Sequence, residues 1–229
     1  MSDVETTQKV DESGVVGRAK IKGVRAVAYL LPWFTPVVST GVWMGAMTFP
    51  FFLYLITIFT IQPEIHVVLT DLFLVSSVLD IAVILIGCGL VLCSVVFLHR
   101  NKTNGMVSEG PYRLVRHPQY LGLVLFTAAL TNRRVWVLMN YDELGWIGIQ
   151  PAILVWFLML VAYVILASIE EMYLSETYGS KWSEYRDEVG FLLPCVTSKT
   201  KIVEILVSLA VLYGVMNGLV LFAMLFIQV

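Results

Sequence analysis

The sequence predicts an all-α, polytopic membrane protein with about five transmembrane helices. Three observations predict it. Of 229 residues, 58% are hydrophobic and 14% are charged, against about 45–50% apolar and about 25% charged in soluble domains. A soluble domain of this size cannot hide so much apolar surface and still present a polar exterior. Five apolar runs each approach the ~20 residues a helix needs to cross a ~30 Å hydrocarbon core. Finally, 13 of the 15 Lys and Arg residues fall in segments that one orientation places on a single side of the membrane. The net charge of −2 argues against nucleic acid as a partner. Cys88, Cys93 and Cys195 support no disulfide framework and lack metal-ligand spacing, so no metal site is expected.

Residues 1–25 are polar and read as a cytoplasmic N-terminal tail, not as a secretory signal. Residues 26–98 carry the N-terminal membrane spans. The first span is expected at about 37–61, ending at Gln62-Pro63-Glu64. Pro32, Pro36 and Gly41 interrupt the apolar residues that begin near Ala26, so 22–36 reads as an interfacial segment or half of a re-entrant hairpin. The second span is expected at about 76–98. In the segment 99–201, span three starts at Pro118 and runs to about Leu138, and span four covers about 149–169. The last span, about 202–227, lies in the segment 202–229.

Charge orients these spans. Lys9, Arg18, Lys20, Lys22 and Arg25 precede span one, and Arg100, Lys102, Arg113 and Arg116 lie between spans two and three. Lys181, Arg186, Lys199 and Lys201 lie between spans four and five, while Arg133 and Arg134 fall on the other side. The positive-inside rule puts the N-terminus in the cytoplasm and the C-terminus opposite. Two spans within 26–61 would move five positive charges outside, so one span is preferred. Both long connections, 99–117 and 170–201, then face the cytoplasm.

The first connection holds a Gly110-Pro111 turn, and Pro118 suits the first position of a helix, where its missing N–H costs nothing. His117 stands at that helix's cap, and Arg113 and Arg116 add positive charge. Together they read as an anion pocket for a carboxylate or phosphate, or simply as a charged loop anchoring a span. Glu170-Glu171 marks the membrane edge of span four, whose helical pattern continues to Tyr178 before Gly179 ends it. Neighbouring carboxylates point about 100° apart on a helix, so one can face a pocket while the other faces water or a basic partner. Leu174, Tyr178, Trp182, Tyr185 and Val189 follow at near-helical spacing, which fits an aromatic belt at the headgroups as well as cofactor contact. His117 and the glutamates share one depth.

These two blocks carry a resemblance. Gly110-Pro111-Tyr112 followed by Arg116-His117-Pro118-x-Tyr120-x-Gly122 resembles a motif of the isoprenylcysteine carboxyl methyltransferases and related phospholipid and small-thiol methyltransferases. Glu170-Glu171-x-x-Leu174, Tyr178-Gly179-x-x-Trp182-x-x-Tyr185, Val189 and Pro194 resemble that family's second block. The likeness covers about 108–194. It implies S-adenosylmethionine as methyl donor, a cytoplasmic cofactor-binding cap after span four, and a lipid or prenylated substrate entering from the bilayer, with no obligate protein partner. On this resemblance 99–201 is the catalytic core. Glu170 and Glu171 are its catalytic pair, and Arg116, His117, Tyr120, Gly122 and Tyr185 form the cofactor pocket. Members acting on prenylated cysteine commonly carry an arginine one turn before the glutamate pair. Here that stretch is Leu166-Ala167-Ser168-Ile169, which leaves carboxylate, lipid amine and thiol open as acceptors. Membrane sterol and steroid reductases, which use NADPH, share part of the pattern but usually carry Asn and Glu where this chain has Gln119 and Leu123. They are the alternative, with a non-catalytic membrane protein of the same fold as a third reading.

Overall fold

The computed structural model describes residues 41–59, 78–101, 105–140 and 149–226. The chain divides into two units at Thr48–Phe49. Of the first, only 41–48, the opening turns of a helix, are described. The architecture below is that of the second unit. The expected N-terminal tail and the interfacial or hairpin segment 22–36 lie outside the described residues.

Among the described residues six α-helices follow in order: α1 Gly41–Phe59, α2 Val78–Asn101, α3 Pro118–Asn140, α4 Ile149–Tyr178, α5 Ser180–Glu188 and α6 Lys201–Phe226. A 3-10 turn, Gly110–Arg113, precedes α3. Among the described residues, α2, α3, α4 and α6 are long and apolar enough to cross a membrane. The run expected at 37–61 yields α1, with Pro50 inside it and an apolar helical stretch, Gly45–Ile58, too short to meet the same measure. Three of the other four expected spans match their helices within a few residues at each end, and the fourth, expected at about 149–169, begins at Ile149 and continues as helix to Tyr178.

The helices pack around α3. Of its apolar stretch 72% is buried, against 11% for α2, which explains why its sequence tolerates Thr127, Thr131, Asn132, Arg133 and Arg134 among apolar residues. Their polar groups meet protein rather than lipid. The Tyr54 hydroxyl of α1 donates to Thr127 O (3.1 Å) and lies 2.7 Å from Thr131 Oγ1. Trp156 of α4 donates its indole N–H to Val124 O at 3.3 Å. The α2–α3 contact is the most extensive in the unit, and it crosses at Gly87 and Gly122. A Cβ on Gly122 would lie 2.7 Å from Gly87 O, and one on Gly87 would lie 2.7 Å from Gly122 O. Only hydrogen at both positions lets the two backbones meet. The Gly41-x-x-x-Gly45 and Gly214-x-x-x-Gly218 pairs suggest close packing by sequence, yet a Cβ at Gly45, Gly214 or Gly218 would meet nothing within 4 Å.

The fold settles the partners of two polar positions. Asp80 reads as a residue at the outer end of its span, and it does stand in the first turn of α2; there it is buried, accepting from Asn132 Nδ2 at 2.9 Å with Arg133 Nη1 at 3.9 Å. An acid in apolar surroundings is stabilised by such partners, and α3 supplies them. Asn217, expected to bond a neighbouring helix, donates instead to Tyr213 O of its own helix at 2.8 Å.

The 30 residues of α4 rise about 45 Å at ~1.5 Å per residue, well beyond a ~30 Å hydrocarbon core. The helix is therefore longer than the apolar layer is thick. Gly179, at φ +54°, ends α4 in the left-handed region that favours glycine. Then α5 and residues 189–200 fold back over the start of α3. The return is pinned by one parallel bridge between Val115 and Gly190, in which Arg116 N donates to Gly190 O at 2.9 Å.

Candidate active site

At the site end of the bundle the two sequence blocks meet. Glu170 and Glu171 on α4 face the segment Tyr112–His117, and the bend at Pro118 sets His117 between the two carboxylates. His117 Nδ1 lies 3.4 Å from Glu170 Oε2, and His117 Nε2 lies 3.4 Å from Glu171 Oε1. Its ring packs against Tyr120 (centroids 5.6 Å) and edge-on to Phe191 (5.4 Å), and Tyr120 in turn stacks on Tyr163 at 5.3 Å. Burial pulls the imidazole's pKa down, but the two glutamates outweigh it, so His117 stays protonated above its ordinary value of 6.5.

Glu171 is the hub of the cluster. Its Oε1 lies 3.1 Å from Arg116 Nη1, and its Oε2 lies 2.9 Å from Lys201 Nζ. The other terminal nitrogen of Arg116, Nη2, is held by Glu204 of α6. Glu204 Oε1 also accepts Ser198 N at 2.8 Å, and the Arg116 guanidinium sits 5.6 Å from the centre of the Phe191 ring. Arg116, His117, Glu171 and Glu204 are all buried. Of the anion pocket read from Arg113, Arg116 and His117, Arg116 and His117 are thus engaged by protein carboxylates, while Arg113 is exposed.

Beside the cluster lies a cleft of about 180 Å³. Its lining includes Tyr112, Arg116, Glu170, Tyr178, Trp182 and Tyr185. The Tyr185 hydroxyl donates to Tyr112 O at 2.6 Å, tying α5 to the turn before α3. Trp182, Tyr185 and Val189 form one apolar cluster with Leu174 and Tyr178 packed against it. The aromatic-belt reading gives way here, since Trp182 and Tyr185 are buried within the protein rather than spread along headgroups. The Tyr112 hydroxyl and Glu170 Oε2 are buried without a hydrogen-bond partner. Burial and the Glu170 charge hold the Tyr112 phenol above its usual range.

Of the residues singled out by sequence, Arg116, Glu170 and Tyr185 line the cleft. His117 and Glu171 stand behind it in the ion cluster, and Tyr120 lies deeper in the aromatic stack. Gly122 belongs to the α2–α3 crossing. Sequence reasoning missed Lys201 and Glu204. Lys201 passes for one more charge flanking a span, but an acid in the first turn of an apolar span is a signal that it needs a partner.

The raised pKa of His117 has a consequence for stability. A group whose folded pKa lies above its unfolded one contributes fully below the unfolded value, near 6.5, and loses that contribution as pH rises through the folded value. The melting temperature in detergent is expected to fall as pH rises above about 6.5. The His117→Asn variant is expected to lose that component. An identical pH profile for both proteins would show that His117 is not the titrating group.

Fold and site together define a helical membrane protein with a buried ion cluster beside an aromatic cleft at one end of its bundle. No protein-family model, curated protein or solved structure matches the chain.

Proposed function

We propose that this chain is an S-adenosylmethionine-dependent methyltransferase acting on a membrane-borne acceptor, an isoprenylcysteine-type carboxylate or a lipid amine, at the cytoplasmic membrane face. One observation carries the reading. Two blocks some 50 residues apart fold into a single cleft that sets the Glu170 carboxylate, whose charged neighbour is His117 at 3.4 Å, beside four aromatic side chains. The residues fit the donor's chemistry. Glu170 suits an ammonium or ribose hydroxyls, Tyr112 Oη offers a further polar contact, and Tyr178, Trp182 and Tyr185 suit an adenine ring or a sulfonium. Bound there, S-adenosylmethionine would supply a methyl group activated by positive sulfur.

The protein's share is orientation and exclusion of water, which in-line transfer chiefly needs. Arg116, His117 and Lys201 keep Glu171 fixed, and Tyr185 holds α5 over the cleft. A carboxylate acceptor needs no base, whereas an amine must first lose a proton, which Glu170 Oε2 can take. In this reading α1 belongs to a fifth span. The N-terminus is cytoplasmic, the C-terminus lies opposite, and α5 with 189–200 is the cofactor cap. The reductase alternative suits the cleft less well. Among the described residues, Arg116 is the cation lining it, and its pairing to Glu171 and Glu204 leaves little for the phosphates of NADPH.

The test is calorimetry on the detergent-purified chain with S-adenosylhomocysteine and NADPH in parallel. We expect S-adenosylhomocysteine to bind with a Kd of about 1 μM, ~−8 kcal/mol, and NADPH not to bind. NADPH binding alone would install the reductase reading, and binding of neither would favour a non-catalytic protein. Glu170→Gln is expected to weaken S-adenosylhomocysteine by about tenfold or more with a smaller loss of melting temperature than Glu171→Gln, because this partly exposed side chain has His117 as its charged partner and is not the hub of the cluster.

A further inference from the structure

We infer that Glu204, in the first turn of the last helix, is a positioning residue for the cleft: it holds the far side of Arg116 and so keeps the guanidinium off Glu170, which among the described residues then has only His117 as a charged partner and can take a ligand's ammonium or hydroxyls. The inference rests on the donor-binding reading above. Arg116 and Glu170 line the same cleft, yet no ion pair joins them. The guanidinium instead spans Glu171 on α4 and Glu204 on α6, two acids contributed by different helices. Its backbone N–H is bound to Gly190 O and its face lies against Phe191, so both ends of the side chain are tethered.

Charge explains why a second acid is needed. Arg116, Lys201 and protonated His117 face Glu170, Glu171 and Glu204, three against three. Neutralising Glu204 leaves the guanidinium with one full partner, Glu171, which already serves Lys201 and His117. Glu170 is then the nearest source of compensation, on the residue adjacent to Glu171. Arg116 turned onto Glu170 would occupy the carboxylate that the ligand's ammonium or ribose requires. Lys201, one turn before Glu204, acts in the same direction by holding Glu171 Oε2 and donating to Ser168 O at 3.4 Å. The last helix, outside both motif blocks, thus sets which of the paired glutamates meets the ligand.

The test is S-adenosylhomocysteine binding by calorimetry to the full chain in detergent, with a melting curve for each variant. Glu204→Gln is expected to raise Kd by about tenfold, the scale of coupling within one ion-pair network. Glu204→Asp, which keeps the charge, is expected to recover most of it. In a Glu170→Gln background, Glu204→Gln is expected to change Kd no further, because the carboxylate it protects is already gone. A purely structural role would lower melting temperature and affinity alike in both backgrounds, and that result would overturn the inference. So would wild-type affinity in Glu204→Gln. If Glu204→Gln does not fold, Lys201→Met, on a partly exposed side chain, must show the same dependence on Glu170, and its absence would overturn the inference equally. Failure of the wild-type chain to bind S-adenosylhomocysteine would instead remove the donor-binding reading, and this inference with it.

Discussion

Glu171→Gln is expected to destabilise the protein by about 3–5 kcal/mol, the usual cost of removing one partner from a buried ion pair, and to abolish S-adenosylhomocysteine binding. The side chain is buried and contacts Arg116 and His117 through Oε1 and Lys201 through Oε2. Glutamine matches its shape, but its amide nitrogen must point either at Arg116 and His117 or at Lys201, donor against donor. Three positive groups would then share Glu170 and Glu204. Chemical denaturation in detergent measures the stability change, and calorimetry the binding. The contrast with Glu170→Gln matters, because two neighbouring residues in one motif are expected to fail differently. Equal stability of the two variants would show that Glu171 is not the hub the geometry makes it.

Gly122→Ala is expected to cost about 1–3 kcal/mol, as overpacking does, and Gly87→Ala the same. The added Cβ at Gly122 would lie 2.8 Å from Val91 Cγ2 and 2.9 Å from Val91 N as well as 2.7 Å from Gly87 O. At Gly87 it would meet Phe126 N at 2.8 Å. Most of these neighbours are backbone atoms, so the helices must separate rather than a side chain rotate. The resemblance assigns Gly122 to the cofactor pocket and is silent on Gly87. Matched losses of stability at the two positions, with less than additive loss in the double variant, would identify the crossing as the reason for glycine. Gly122→Ala with normal stability and lost donor binding would return Gly122 to the pocket.

Much of the architecture was legible because it follows from local physics. Hydropathy placed a helix in each of the five expected spans, with the largest departure at the end of α4, which runs on to Tyr178. Pro118 marked the start of α3 and Gly179 the end of α4, since both act through their own backbone. The shared depth of His117 and Glu170-Glu171 was also legible, because each lies at a helix end. What stayed open was decided by environment rather than by local pattern. Asp80 stands at the helix end where it is expected, but only the fold brings Asn132 and Arg133 to it, and the aromatic run after Glu171 fits a belt or a cleft wall until the burial of Trp182 and Tyr185 separates the two.

The amino-acid sequence by itself determined that this is a helical membrane protein, where most of its helices begin and end, and that its chemically suggestive residues cluster at one end. Apolar transfer free energy and turn chemistry act over a few residues, so they can be read along the chain. The tertiary structure alone decided that Glu171 is internal while Glu170 faces the cleft. It alone joined Arg116 to Glu204 across 88 positions and used Gly122 to bring two helices into contact. Those outcomes depend on which charges share a low-dielectric space and which backbones touch, and no local pattern encodes either.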